Sequence, residues 1–179
     1  MSDLLYTEAP NKDGFPYERG GWRQYAVHDD HNIRGFFGPF RYLSNFYPCH
    51  VPLNGLDYPS SECAYQAQKL VPELREPFTR MTDVQSKKGW KLVPEEGRVP
   101  NWDEHKFTVM QEVVFSKFLH NHDLRDKLVE TEGKYLEESN HWYDKFFGVC
   151  IHTNIGHNHL GRILMATRTY FTFLKNSQK

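Results

Sequence analysis

The sequence has few cysteines and lacks both a long apolar run and the pattern of a secretory leader. Its three cysteines, Cys49, Cys63 and Cys150, are odd in number and show no C-x-x-C spacing, which argues against a disulfide framework and favours a reducing compartment. No apolar stretch approaches the roughly 20 residues of a membrane span, and the opening MSDLLYTEAP lacks the basic and apolar regions of a signal peptide. We therefore expect an intracellular, cytoplasmic protein, or a nuclear one in a eukaryote, with no membrane partner; protein partners stay unknown.

An excess of charge of either sign is also missing. The 179 residues include 22 basic and 23 acidic ones, for a formal net charge of −1. A non-specific nucleic-acid binder needs a broad positive field, so this balance argues against one. The balance still allows an enzyme that acts on one modified nucleotide, and the length suffices for one domain with a sizeable core.

The ligand spacings of common metal sites are absent as well. The ten histidines include two H-x-H pairs, His120/His122 and His157/His159. However, neither the Cys/His spacing of a structural zinc site nor an H-E-x-x-H motif occurs. We expect no metal and no cofactor.

Aromatic residues, in contrast, are abundant. They make up 15% of the chain, with thirteen Phe, ten Tyr and four Trp. Most are expected to fill the core, but such a surplus also suits a pocket for a flat ligand.

Local patterns predict one strand, one hairpin and several helices. Asn54-Gly55 favours a type I′ turn, because both residues tolerate positive φ. The apolar stripe Phe107, Met110, Val114 and Phe118 has helical spacing. The predicted elements are a strand over 33–37, a hairpin pairing 50–53 with 56–58, and helices over 61–71, within 74–92, over 102–120 and 123–131, and after Gly156.

These elements predict an α+β fold, a helix-dominated single domain with a small N-terminal hairpin or sheet. Residues 1–32 are rich in Gly, Pro and charge, and we interpret them as an N-terminal extension that is partly disordered. The domain itself is expected to cover residues 33–179.

The stretch YPSSECAYQAQKL, residues 58–70, places Glu62, Gln66 and Lys69 on one stripe of a helix that Ser60 or Ser61 can cap. Glu62 and Lys69 are then about two turns apart, roughly 10 Å along the axis. Their side chains can converge on one ligand. From the spacing alone, a solvated helix face is the simpler interpretation.

Two segments outside this helix strengthen the functional interpretation. The turn Ser44-Asn45-Phe46 offers a hydroxyl, an amide and a ring. The Gly-rich GHNHLG, which includes Gly156 and Asn158, opens a helix whose exposed N–H groups suit a phosphate. The alternative for the second segment is a plain helix entry capped by Asn158.

Taken in order along the chain, several motifs resemble the NADAR family, also called YbiA-like proteins. The most specific are YLSNFYP and YPSSECAYQAQK, and the resemblance runs from about residue 33 to residue 173. The other matching segments are Asn101-Trp102, KFTVMQEVVFSKF, LRDKLVET, DKFFGVC and GHNHLGRILMATR. The chain departs from the family at Phe147-Gly148, where a Trp-Gly pair is usual, and at Cys63.

The resemblance implies a YbiA-like catalytic domain that cleaves the bond between ribose C1 and an exocyclic amine. One branch of the family removes ADP-ribose from guanine in nucleic acid, and we expect that activity here. Another branch acts on phosphoribosylamino-pyrimidine intermediates of riboflavin biosynthesis, which is the first alternative. A module that binds ADP-ribose without catalysis is the second. The expected partner is ADP-ribosylated nucleic acid or a nucleotide substrate.

The site residues follow from the matched motifs. Glu62 is the candidate for stabilising charge at C1. Lys69 is the candidate for attack on the sugar as a neutral amine, or, if it stays charged, for holding phosphate or donating the leaving-group proton. The expected substrate-binding residues are Ser44 and Asn45 on ribose hydroxyls, Gln66 beside them, Phe46, Tyr65 or Trp102 on the base, and Gly148, Gly156 and Asn158 around phosphate. For Trp102, a core role is an equally good interpretation.

Overall fold

The computed structural model describes residues 26–177, so residues 1–25 of the predicted extension 1–32 lie outside the described residues. A three-stranded sheet opens the fold, with β1 (Val27–His28) antiparallel to β2 (Asn32–Arg34) and β2 parallel to β5 (Tyr135–Glu137). The strand predicted over 33–37 ends earlier, because Gly35 has a positive φ of 78° that turns the chain. A strand of the sheet therefore lies before residue 33, where we placed the start of the domain.

The predicted hairpin is confirmed. Strands β3 (Pro48–Leu53) and β4 (Leu56–Ser60) pair antiparallel, with Leu53 opposite Leu56. Asn54 and Gly55 form the turn with φ values of 51° and 78°, as a type I′ turn requires.

Helix α1 (Ser61–Ala67) follows the hairpin directly. The side chain of Ser60 accepts a 3.1 Å hydrogen bond from the backbone N–H of Cys63, so Ser60 is the cap. The prediction that the helix reaches residue 71 is wrong. Residues 69–71 instead pair with residues 97–99, where Val99 N–H donates to the Lys69 carbonyl at 2.8 Å.

The middle of the chain is built from short turns. Two 3₁₀ segments (Pro72–Leu74 and Glu76–Arg80) precede helix α2 (Asp83–Gly89), and two more follow it. Short helices were predicted here. Val71 and Val93, each directly before a proline, have extended backbone that ends the preceding segment.

Three longer helices complete the fold: α3 (Trp102–His120), α4 (His122–Glu130) and α5 (His159–Ser177). Met110, Val114 and Phe118 of the predicted stripe are buried in the core, whereas Phe107 is half-buried. A small parallel pair, β6 (Ser139–Asn140) with β7 (Val149–Cys150), lies between α4 and α5. The helix-dominated α+β prediction is confirmed.

No helix within residues 26–177 has the length and apolar composition needed to cross a membrane. The three cysteines all lie in this range and are free.

Candidate active site

A cavity of about 340 Å³ lies between α1, α2, α3, the start of α5 and residues 138–147. This volume is within the range of small-molecule sites, about 300–1,000 Å³. Seven of the predicted site residues line it: Ser44, Asn45, Phe46, Glu62, Tyr65, Gln66 and Lys69. The other lining residues are Phe36, Phe37, Lys87, Met110, Glu138, Trp142, Asp144, Phe147 and Leu160.

The turn that carries Ser44, Asn45 and Phe46 is fixed from several sides. The Ser44 hydroxyl accepts a 3.2 Å hydrogen bond from the Phe46 N–H, a local bond that favours turns. The ammonium of Lys117, only 1% exposed, donates to the Ser44 carbonyl at 2.9 Å. The Asn45 carbonyl accepts the N–H of Glu62 at 2.9 Å. The turn and the start of α1 are therefore one rigid unit.

Helix α1 is buried on all sides. All seven of its residues are buried, and Glu62 is 5% exposed. The interpretation of the stripe as a solvated helix face is therefore wrong. Glu62, Gln66 and Lys69 instead face a shared cavity.

Two buried acceptors at this cavity have no hydrogen-bond partner among the described residues. Nε2 of Gln66 donates to Oε1 of Glu62 at 2.8 Å, which leaves the Gln66 amide oxygen as an unpaired acceptor. Oδ1 of Asn45 is also unpaired, while its Nδ2 contacts Sδ of Met110 at 3.3 Å. An unpaired buried group costs about 1–3 kcal/mol. A ligand that brings hydroxyl or amine donors would remove that cost.

Lys69 is surrounded by aromatic rings. Its Nζ lies 4.2 Å from the ring centroid of Trp90, 5.2 Å from that of Tyr65 and 5.8 Å from that of Trp102. Burial lowers the pKa of Lys69 to about 8, and the charge of Glu62 only partly offsets this. A substantial fraction of the amine is thus neutral, and available as a nucleophile, at mildly alkaline pH.

The pKa of the Glu62 carboxyl is also shifted by burial, in the opposite direction. Burial raises its pKa, while the positive charge of Lys87 and the hydrogen bond from Gln66 act against this rise. Nζ of Lys87 lies 3.9 Å from Oε1 of Glu62. Lys87 therefore supports the ionised form of a carboxyl that burial disfavours.

A second carboxyl, Glu138, lines the cavity and was not predicted. Burial raises the pKa of Glu138 to about 8, and the charge of Asp144 raises it further, while Lys87 lowers it. Asp144 accepts hydrogen bonds from the N–H groups of Phe146 and Phe147, each at 3.0 Å. Glu138 is thus a carboxyl that holds its proton near neutral pH.

Trp102 stands behind the cavity rather than in its lining. Its ring packs edge-on against Tyr65 at 5.4 Å between centroids and forms one wall around Lys69. Trp102 starts α3, where it also packs against the hydrophobic core. This position favours the core interpretation over stacking on a base.

Gly148, Gly156 and Asn158 lie outside the lining of this cavity, and their place around a phosphate stays a prediction. The side chain of Asn158 does not cap α5. Its Oδ1 accepts the N–H of Glu138 at 3.0 Å, and its Nδ2 donates to the Leu136 carbonyl at 2.9 Å. A Cβ on Gly148 would lie 2.3 Å from the Glu138 carbonyl oxygen. These residues hold the segment that carries Glu138.

Replacing Gly156 with Ala is expected to lower the free energy of unfolding by about 1–3 kcal/mol, as overpacking does. A Cβ at this position would lie 2.0 Å from the Gly148 carbonyl oxygen, so the backbone beneath Glu138 must shift. Urea titration measures the loss. Gly89→Ala is the matched control, since its Cβ would meet only the flexible Met81 and the Phe78 ring at 3.4 Å or more. Equal stability of the two variants would contradict the packing described here.

The sequence matches one protein family over most of its length. A family model described as the NADAR domain matches residues 34–172. The chain belongs to the NADAR family.

Two relatives of this NADAR chain carry informative names. A riboflavin biosynthesis protein of Vibrio vulnificus (strain YJ016) is 36% identical over 128 residues, which cover 71% of this chain and 34% of that protein. This chain therefore spans about a third of the length of the Vibrio protein. An N-glycosidase of Nostoc punctiforme (strain ATCC 29133 / PCC 73102) is 31% identical over 146 residues, which cover 73% of this chain and 85% of that protein.

The NADAR fold is also found in a solved structure. The NMR structure of the Escherichia coli protein YbiA matches with a TM-score of 0.69 at 27% identity, covering 84% of this chain and 90% of YbiA. The predicted YbiA-like architecture is confirmed.

The NADAR cavity combines groups with different chemical abilities. Glu62 can oppose positive charge, Lys69 supplies an amine of lowered pKa, and Glu138 supplies a carboxyl proton. Among the described residues, no group of three or more His, Cys, Asp or Glu side chains is placed to hold a metal ion.

Four of the nine cavity residues that the sequence did not reveal come from two places. Lys87 lies on the short helix α2 and is about half exposed, so its pattern is that of an ordinary surface lysine. Glu138, Trp142 and Asp144 lie on an irregular segment without periodicity. The only local signal was the run of turn-forming residues around Asn140.

Proposed function

We propose that this NADAR protein hydrolyses the bond between C1 of a phosphorylated ribose and an exocyclic amine, and that it removes ADP-ribose from guanine in nucleic acid. The observation that carries the proposal is the joint presence of Glu62 and Lys69 in one cavity beside two unpaired acceptors. The name of the Nostoc relative, an N-glycosidase, supports the bond type. A nucleotide-type substrate follows from that bond.

Cleavage of the bond needs stabilisation of positive charge at C1. The Glu62 carboxylate supplies it, as carboxylates do in glycoside hydrolysis. The unpaired oxygens of Asn45 and Gln66 accept hydrogen bonds from the ribose hydroxyls and orient C1 toward Glu62.

Lys69 supplies the covalent step. When the ribose ring opens, C1 and the exocyclic nitrogen form an imine. The neutral amine of Lys69 attacks C1 and expels the guanine amine, leaving an imine between C1 and Lys69. Water then adds to this imine, which frees the Lys69 amine and releases the sugar as an aldehyde. In this exchange the departing nitrogen gains the two protons that the Lys69 nitrogen loses, and Glu138 relays them by donating its proton to the departing nitrogen and taking one from the Lys69 nitrogen.

These assignments predict a bell-shaped pH profile for kcat/KM with its maximum near pH 8. The active form needs Lys69 without its proton, so the rate rises as pH passes the lysine pKa of about 8. It needs Glu138 with its proton, so the rate falls as pH rises through the Glu138 pKa of about 8. Initial rates between about pH 6 and pH 10 define the two limbs.

The Glu138→Gln variant isolates the alkaline limb of this profile. It is expected to lose the fall in rate at high pH together with much of the activity, because the amide cannot donate the proton. A profile whose alkaline limb persists unchanged in this variant would exclude Glu138 as the acid.

The second candidate function is hydrolysis of phosphoribosylamino-pyrimidine intermediates of riboflavin biosynthesis. The name of the Vibrio relative favours it. The bond broken is again the one between ribose C1 and an exocyclic amine, and Glu62, Lys69 and Glu138 would have the same roles. The difference lies in the leaving ring and in the length of the phosphorylated part.

One experiment separates the candidates. The protein is incubated with an ADP-ribosylated guanine oligonucleotide and, in parallel, with the phosphoribosylamino-pyrimidine. Released ADP-ribose supports the first function, and released ribose phosphate supports the second. Tight binding of ADP-ribose with no product from either substrate would instead identify a binding module.

A further inference from the structure

One large aromatic side chain at the cavity is exposed, in contrast to the buried or partly buried rings around Lys69. Trp142 lines the cavity and is 46% exposed. Tryptophan is among the residue types that are highly buried on average, and exposed indole surface is typical of binding sites. This tryptophan therefore stands at the mouth of the cavity, with part of its surface available to a ligand.

The segment that presents Trp142 is held in place by its own polar groups. The Asp144 N–H donates to Oδ1 of Asn140 at 3.0 Å, and Nδ2 of Asn140 donates to the Asp144 carbonyl at 2.7 Å. Tyr143 has a φ of 63°, a conformation that a bulky residue adopts only when its surroundings impose it. The His141 ring packs edge-on against Trp142 at 5.0 Å. The backbone that presents the indole is thus held by contacts within the protein.

Lys87 reveals where the face of this indole is turned. Its Nζ lies 5.8 Å from the centroid of the Trp142 ring and 4.7 Å from that of the Phe46 ring. The ammonium lies over both rings, so both ring faces border the space that it occupies. Both rings belong to the cavity lining, on the turn before β3 and on the segment after β6.

We propose that Phe46 and Trp142 form a two-sided stacking site that holds the flat aromatic ring of the leaving group, with Lys87 as the cation that the ring replaces between them. The inference rests on the proposed function and deepens it, because it selects leaving groups of the nucleobase type. A flat heteroaromatic ring can stack on both faces at once. When the ring displaces the ammonium of Lys87, that ammonium can still pair with the Glu62 carboxylate, because Nζ of Lys87 lies 3.9 Å from Oε1 of Glu62.

The test uses binding without turnover. Guanosine 5′-monophosphate probes the ring subsite, and ribose 5-phosphate probes the sugar subsite. Calorimetry on the whole chain compares the wild type with Trp142→Ala, Trp142→Phe and the control Phe173→Ala, which removes an exposed aromatic outside the cavity. Trp142→Ala is expected to weaken the nucleotide about tenfold, in line with loss of one stacking contact, and to leave ribose 5-phosphate unchanged. Trp142→Phe restores most of the loss, and Phe173→Ala changes neither.

The outcomes separate this inference from the proposed function. Unchanged nucleotide binding in Trp142→Ala, or no nucleotide binding by the wild type, would overturn the stacking site. Equal weakening of both probes would overturn it too, because it would mean a general distortion of the cavity. A wild type that binds the nucleotide through Trp142 but cleaves neither glycosidic substrate would keep the stacking site and reject the hydrolase.

Discussion

Replacing Glu62 with Gln is expected to lower kcat by about 10²–10⁴-fold, the contribution of a positioned catalytic acid or base. The amide has the shape of the carboxylate but cannot oppose positive charge at C1. Rates of ADP-ribose release from an ADP-ribosylated guanine oligonucleotide measure the loss. Glu112→Gln is the matched control, since Glu112 is exposed on α3 outside the cavity lining.

The same variant should fold as well as the wild type, which separates a chemical effect from a structural one. Burial raises the pKa of Glu62 above its ordinary value of 4.5. The folded state thus disfavours the charged form, and the stability contributed by this group declines as pH rises from 4.5 through the raised pKa. At neutral pH the amide removes this cost, so the melting temperature should be equal or higher. An unchanged rate would remove Glu62 from the mechanism.

Replacing Lys69 is expected to have an effect of comparable size and to distinguish its two possible roles. Lys69→Met removes the amine and the charge, whereas Lys69→Arg keeps the charge on a group that does not lose its proton in proteins. If the amine attacks C1, both variants lose at least about 10²-fold in kcat. If the charge only holds phosphate, the arginine variant keeps most of the activity.

Borohydride trapping examines the same step directly. Reduction of the imine between C1 and Lys69 links the sugar to the lysine, and peptide mass spectrometry locates the added mass. The wild type should gain the adduct on Lys69, and Lys69→Arg should gain none. Turnover by the wild type without any adduct on Lys69 would exclude the covalent route.

The parts of the fold that the sequence could predict are those with local signals. Asn54-Gly55 specified the hairpin turn, and helical spacing of apolar residues specified α3. The seven predicted cavity residues came from two motifs of the family resemblance, and the hairpin between the motifs brings the turn against the start of α1. Residues 69–71 were predicted wrongly because their pairing partner near Val99 is distant in the sequence.

The remaining cavity residues are set by tertiary packing. Glu138 reaches the cavity because Asn158, twenty residues later, binds its backbone, and because Gly148 allows a close approach. No pattern near Glu138 encodes that arrangement. Gly148, Gly156 and Asn158 were predicted to bind phosphate from a local Gly-rich pattern, and the structure shows that Gly148 and Asn158 also pack against the segment that carries Glu138.

The most direct measurement is a crystal structure of the Glu62→Gln variant with ADP-ribosylated guanosine bound and uncleaved. The account predicts that C1 of the ribose lies between the side chain at position 62 and Nζ of Lys69, with the ribose hydroxyls donating to Asn45 and Gln66. A ribose bound outside this cavity, or one whose C1 faces away from both groups, would contradict it.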